Sequence, residues 1–141
     1  MEKHRLYVKA LGLVGVKPIF GAFRKKDLKC RVCKKYYNTH EENQTEVNIA
    51  IKLFETAIDD EWDTAMIISG DSDLIPSILA VKKSFPDKQI CVVVPPARSA
   101  VELKNIADTS NKIKLKQLVS SQFDEEIRIK EEQVLRKPSS W

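Results

Sequence analysis

Glycine is scarce in this chain, with four residues in 141. They form no Gly-x-Gly-x-x-Gly and no Walker-type loop, which argues against a nucleotide cofactor cradled in either. Histidine is scarcer still: there are only His4 and His40, and no Ser-His-Asp constellation assembles around them. Cysteine occurs three times, an odd number, and Cys30 and Cys33 lie too close together for an ordinary structural bridge. A reduced, cytoplasmic setting is therefore expected. No apolar run approaches the roughly 18–20 residues of a membrane span. The opening Met-Glu-Lys-His-Arg-Leu-Tyr-Val also lacks the apolar core of a signal peptide, so no membrane partner is expected.

What is present is the composition of a globular chain, 43% hydrophobic and 31% charged, long enough for one domain with its own core. The pattern centres on Ala65-Met66-Ile67-Ile68-Ser69-Gly70-Asp71-Ser72-Asp73. Its apolar run reads as a strand buried on both faces of a parallel sheet. Gly70 suits a tight turn where a Cβ would obstruct. Asp71 and Asp73 then fall just past the carboxyl end of the strand, the edge on which open α/β sheets bind ligands. Two carboxylates so close repel unless a cation lies between them, and Mg²⁺ or Mn²⁺ prefers such oxygen donors. The same acids also suit a plain helix start, as N-cap and dipole partner.

Net charge is +4, and its distribution matters more than its size. Arg24, Lys25, Lys26, Lys29, Arg31, Lys34 and Lys35 crowd one segment with the single acid Asp27, and Tyr36 and Tyr37 follow. Cations beside aromatic faces suit a nucleic-acid strand, although a solvated basic loop has the same composition. Cys30-x₂-Cys33 inside that segment is the usual half of a zinc site. His40 could be a third ligand and His4 a distant fourth; two ordinary thiols in a loop are the plainer reading.

Taken in order, residues 2–11 read as a helix stopped by Gly12, residues 17–23 as a short strand, and the basic segment as a hairpin or loop. Val47, Ala50, Ile51, Phe54 and Ile58 give residues 46–58 one buried helical stripe, with Thr45 as N-cap and Glu46 in the first turn. After the strand at 65–68, a helix spans about 73–84, with Leu74, Ile75, Ile78, Leu79 and Val81 inward and Lys82 and Lys83 in solvent. Residues 90–94 read as a second apolar strand stopped by Pro95-Pro96. A helix at about 99–108, with Arg98 just before it, and a last strand at 112–115 follow. The alternation argues a parallel α/β sandwich. From about residue 121 the chain turns charged and polar. Residues 124–137 read as a solvated helix or frayed tail, with 138–141 loose.

Gln44-Thr45-Glu46-Val47-Asn48-Ile49-Ala50 followed by Ile67-Ile68-Ser69-Gly70-Asp71-Ser72-Asp73-Leu74-Ile75-Pro76 resembles the NYN domain, a branch of the PIN-like nuclease superfamily. Gly21-Ala22-Phe23 and the Val-Val-Pro-Pro strand end occur in matching order. The resemblance covers about residues 1–120, with a basic Cys-x₂-Cys insertion at about 24–40 and a tail at 121–141. It implies a PIN-like three-layer sandwich and a Mg²⁺- or Mn²⁺-dependent ribonuclease in which Asp71, Asp73 and Glu46 hold the metal. Ser69 and Ser72 would orient those carboxylates or touch a phosphate. Arg98, Arg24, Lys25, Lys26, Arg31 and Tyr36 would contact RNA. Position 46 is Glu where the family more often has Asp.

The family also begins with a central strand ending in an acid, and Met1 here falls within the following helical region. A truncated product or fragment, closure by neighbouring strands, or a strand lent by another chain would each account for that. A homodimer or strand-complementing partner is thus one expectation, and a degenerate RNA- or protein-binding module is the alternative to an enzyme.

Overall fold

The computed structural model describes residues 2–130 and 133–138. The chain falls into two compact units, one built from residues 20–115 and the other from 1–19 together with 116–141.

The larger unit opens with a hairpin, β1 (Ala22–Lys29) and β2 (Tyr36–Asn43), paired antiparallel in full register from Ala22 opposite Asn43 to Lys29 opposite Tyr36. The strand expected at 17–23 is therefore displaced: β1 begins at Ala22, and the basic segment is itself the first arm of the hairpin. Lys26 pairs with Glu41 at 2.7 Å across the strands. Such cross-strand opposite charges favour pairing over self-repulsion in a strand this basic.

Helix α2 (Thr45–Ile58) follows immediately. Its N-cap is Gln44, in a left-handed conformation with φ 77°, and Thr45 is already helical. The buried face is also rotated from the expected one. Leu53 and Ala57 are buried and Phe54 packs beside them, whereas Val47, Ile51 and Ile58 are exposed. An apolar arc wider than the contact surface leaves its outer edge in solvent, and periodicity alone does not say which edge that is. The helix stops at Asp59 and Asp60, the latter at φ 56°, where aspartate tolerates the left-handed region.

Three parallel strands make the sheet in the order β3 (Thr64–Ile68), β4 (Gln89–Val94), β5 (Thr109–Lys112). A 3₁₀ turn (Ser72–Leu74) and α3 (Ile75–Ser84) connect the first two, and α4 (Val101–Ile106) connects the second pair. The molecule is thus mixed α/β, a parallel sheet flanked by helices as in a PIN-like sandwich. The core gathers Ile67, Ile90, Val92 and Val94 from one sheet face against Leu53, Ala57, Leu74, Ile78, Val81, Ala100 and Leu103. Each of the valine, leucine and isoleucine side chains among them contributes about 1.5–3 kcal/mol on burial.

The central strand β4 is buried on both faces from Ile90 to Val94, as its β-branched run dictates. Strand β3 is not. Ile67 is 8% exposed, but Met66 and Ile68 are 66% and 61% exposed, because β3 lies at one end of the sheet. Leu79, expected inward, is exposed as well. The last strand is 109–112 rather than 112–115, and Leu115 instead begins α5 (Leu115–Ser120).

Two lysines fasten the connections. Lys82, expected in solvent, donates to the Ile106 carbonyl at 2.9 Å and to Asp108 at 2.5 Å. Lys88, with a side chain only 9% exposed, reaches Asp60 and the Trp62 carbonyl, each at 2.6 Å, with its ammonium 5.0 Å from the Trp62 ring centre. The stem of each lysine crosses apolar surface while its head finds oxygen.

The smaller unit contains α1 (Glu2–Leu13), α5 and a second antiparallel hairpin, β6 (Glu126–Lys130) with β7 (Gln133–Arg136). Over its described residues, the stretch expected at 124–137 to be a solvated helix or frayed tail is thus corrected to two paired strands, with 131–132 lying outside the described residues. Alternation supplies its inward side, where Leu135 is buried, and Tyr7 of α1 meets Phe123 edge-on at 6.2 Å. The loose end expected at 138–141 lies, from 139 onward, outside the described residues. Among the described residues no helix is long and apolar enough to cross a membrane.

Candidate functional site

Parallel pairing of Ile68 with Val93 sets the carboxyl ends of β3 and β4 side by side. The turns that leave them share one edge, and a depression opens there between Ile68, Ser69, Gly70, Asp71, Ser72, Pro95, Pro96 and Arg98. Gly70 is needed for close approach rather than for a special backbone angle. A Cβ there would stand 3.2 Å from Cβ and 3.4 Å from Cγ of Arg98, so the arginine stem lies across the glycine. Pro95-Pro96, legible as a strand stop, also furnishes one wall; nothing in the sequence signalled that second role.

The acidic turn is held from within. Ser69 Oγ accepts the Asp71 N–H at 3.1 Å, and Asp71 Oδ1 accepts the Asp73 N–H at 3.0 Å. Asp71 is therefore the cap of the 3₁₀ turn, and the helix-start reading of this segment is realised in one of its two acids. The cap engages one carboxylate oxygen. Ser69 orients the backbone of Asp71 rather than a carboxylate. Leu74, buried to 1% exposure, anchors the turn in the core, and Pro76 sits in the first turn of α3, where its missing N–H has no partner to lose.

Glu46 lies in the first turn of α2, as expected, and that helix packs against the 3₁₀ turn. Among the described residues, however, no three His, Cys, Asp or Glu side chains gather closely enough to hold a metal. Asp71 and Asp73 share one turn; Glu46 does not join them as a third ligand. Asn48, two residues further on, spends its amide on the Phe20 carbonyl at 3.1 Å and so ties α2 to the chain entering β1.

The basic hairpin forms a second candidate surface. Lys29 holds its ammonium 5.5 Å from the centre of the Tyr36 ring, a cation–π pair on an exposed tyrosine. Phe23, Lys25, Asp27 and Lys29 lie on one face opposite Glu42, His40, Asn38 and Tyr36, and Arg24 and Lys26 lie on the other opposite Glu41 and Thr39. Asn38, with its amide turned to satisfy both neighbours, donates to Asp27 and accepts from Lys25. Arg31 is at the exposed tip.

Cys30 and Cys33 both lie at the tip turn, but His40 pairs with Lys25, five residues back from Cys30. At about 3.3 Å per strand residue that is roughly 16 Å, so His40 is not a third ligand to this pair. The N–H groups of Cys33 and Val32, with the Cys33 thiol, hold the Cys30 thiol below its ordinary pKa.

No curated protein and no solved structure is similar enough to match. A family model does match: the NYN domain, over residues 14–114 of the 141. The matched span contains the hairpin, the whole parallel sheet and the acidic turn, and the chain belongs to the NYN family of nuclease-like domains.

Proposed function

We propose that this domain is a divalent-metal-dependent ribonuclease acting in the cytoplasm, with Asp71 and Asp73 as its metal-binding acids. The observation that carries the reading is the acidic turn at the carboxyl edge of the sheet, whose Asp71 lines an open depression together with Arg98, with Asp73 two residues on. Its donors fit Mg²⁺ or Mn²⁺, hard ions that take one or two carboxylates and fill their remaining positions with water. They do not fit a cage of three protein acids, and Glu46 is read instead as a nearby charge on the start of α2. When bound, such an ion would supply the positive charge that polarises a water and steadies phosphoryl oxygens.

The residues of the chain supply the rest. Capping the Asp73 N–H holds the Asp71 carboxylate, and the Ser69 bond holds the backbone beneath it, before any substrate arrives, so little reorganisation of that acid is left to the reaction. Arg98 presents a guanidinium to a phosphate entering the depression, and Ser72 adds a hydroxyl at the same wall. The basic hairpin, with Arg24, Lys25, Lys26 and Arg31 on the phosphates and Tyr36 under a base, would hold the strand.

The test is cleavage of a labelled single-stranded RNA by the purified chain in Mn²⁺. Asp71→Asn and Asp73→Asn should each lower the rate at least about 100-fold while circular dichroism stays unchanged. A variant that cuts as fast as the parent would overturn the assignment.

A second reading is favoured by the absence of a three-acid group among the described residues: an RNA-binding module with a degenerate acidic edge. It requires binding that needs no metal and is indifferent to Asp71→Asn, in a parent chain that does not cleave.

A further inference from the structure

The tip of the β1–β2 hairpin is built in a way that RNA contact does not require. The Cys30 N–H donates to the Lys35 carbonyl at 2.8 Å, and the Lys34 N–H returns to the Cys30 carbonyl at 3.0 Å. Lys34 takes φ 60° to close the turn. Cys30 and Cys33 therefore lie three residues apart on one preformed turn, with Cys33 exposed. Two thiolate ligands of a tetrahedral ion, each at about 2.3 Å, stand about 3.8 Å apart, a span suited to a Cys-x₂-Cys pair on one closed turn. We propose that Cys30 and Cys33 are half of a four-thiolate zinc site, completed by the same two cysteines of a second copy of this chain.

The partner is specified by what one chain lacks. Structural zinc takes four ligands, and no group of three candidate side chains exists among the described residues. The third cysteine of the sequence, Cys91, is buried in the central strand. His40 is five register positions away. The turn itself is accessible: Cys33 is exposed, and Val32 beside it is 91% exposed. Pairing two tips would cover that valine in each copy.

Charge sets the condition for pairing. Lys29, Arg31, Lys34 and Lys35 surround the turn, so two bare tips repel. A zinc ion with four thiolates carries a net charge of −2, which those cations offset. The pair should therefore exist only with the metal.

The experiment uses the full reduced chain, stripped by chelator and titrated with zinc chloride at tens of micromolar protein. Binding should saturate at half an ion per chain, and the sedimenting mass should double and return to that of the monomer on adding chelator. Cobalt(II) in place of zinc should give the intense visible and near-ultraviolet bands of a tetrahedral four-sulfur site. Cys30→Ser with Cys33→Ser should abolish binding and doubling together, with circular dichroism unchanged. Binding at one ion per monomer, no binding, or a dimer that persists in chelator or in the double variant would overturn the proposal.

Discussion

A carboxylate can stand in for a strand. Asp108, immediately before β5, donates its N–H to the Ile90 carbonyl at 3.0 Å and accepts the Ile90 N–H on Oδ2 at 2.7 Å. It thereby extends the β4–β5 ladder by one residue through its side chain. Its other oxygen takes Lys82. Lys82 first, and then the Ile90 N–H, hold the Asp108 carboxyl below the ordinary aspartate range. Asp108→Ala should cost about 1–3 kcal/mol, because Ile90 is fully buried and its N–H would lose its partner. The sign of the pH dependence follows from the lowered pKa. The contribution of the charged form is complete above the unfolded aspartate pKa of about 3.9, and is lost as pH falls through the lower folded value. Urea unfolding of parent and variant should show a gap that is constant near neutrality and shrinks in acid. A gap that widens in acid would refute the assignment.

At the scale of elements, what the sequence disclosed depended on whether a signal was local. Ser-Gly-Asp-Ser-Asp after an apolar run located the acidic turn, and Val92-Val93-Val94 before two prolines located the central strand; each pattern is complete within a few residues. The burial of β3 was not legible, because four apolar residues look alike in the middle of a sheet and at its end. Nor was the rotation of α2, whose wide apolar arc fits more than one packing. The β6–β7 hairpin was hidden by its charge: Glu126, Arg128 and Arg136 mask an alternation that buries Leu135. His40 looked close to Cys30 in sequence, and only the hairpin register separates them. The one-sided character of β3 can be measured directly. Ile67→Ala should cost about 2–5 kcal/mol, because it removes buried volume from the core, whereas Met66→Ala should stay within about 0.5 kcal/mol. Equal costs would mean that the outer face of β3 is covered in solution.

Over the whole molecule, a net charge of +4 is too small to attract RNA by itself, so its concentration on one hairpin has to do so. Within that hairpin the cations are not equivalent. Lys26 is paired with Glu41, whereas Lys29 is stacked on an exposed tyrosine and Arg31 stands at the tip. Each phosphate neutralised on a single strand contributes about 0.7 to the slope of log binding constant against log salt. With metal removed by chelator, which prevents cleavage and keeps the tip unbridged, Lys29→Ala with Arg31→Ala should lower the slope by about 1.4. Lys26→Ala should lower it by less, since removing it frees Glu41 and releases few counterions. Tyr36→Ala should weaken binding by about 1–3 kcal/mol through lost stacking and leave the slope nearly unchanged. Asp71→Asn should leave it unchanged as well, because the acidic turn meets the strand only where a cation is present. A slope indifferent to the hairpin substitutions would move the RNA path off this arm and onto the sheet edge beside Arg98, where a single substitution, Arg98→Ala, would then carry the effect.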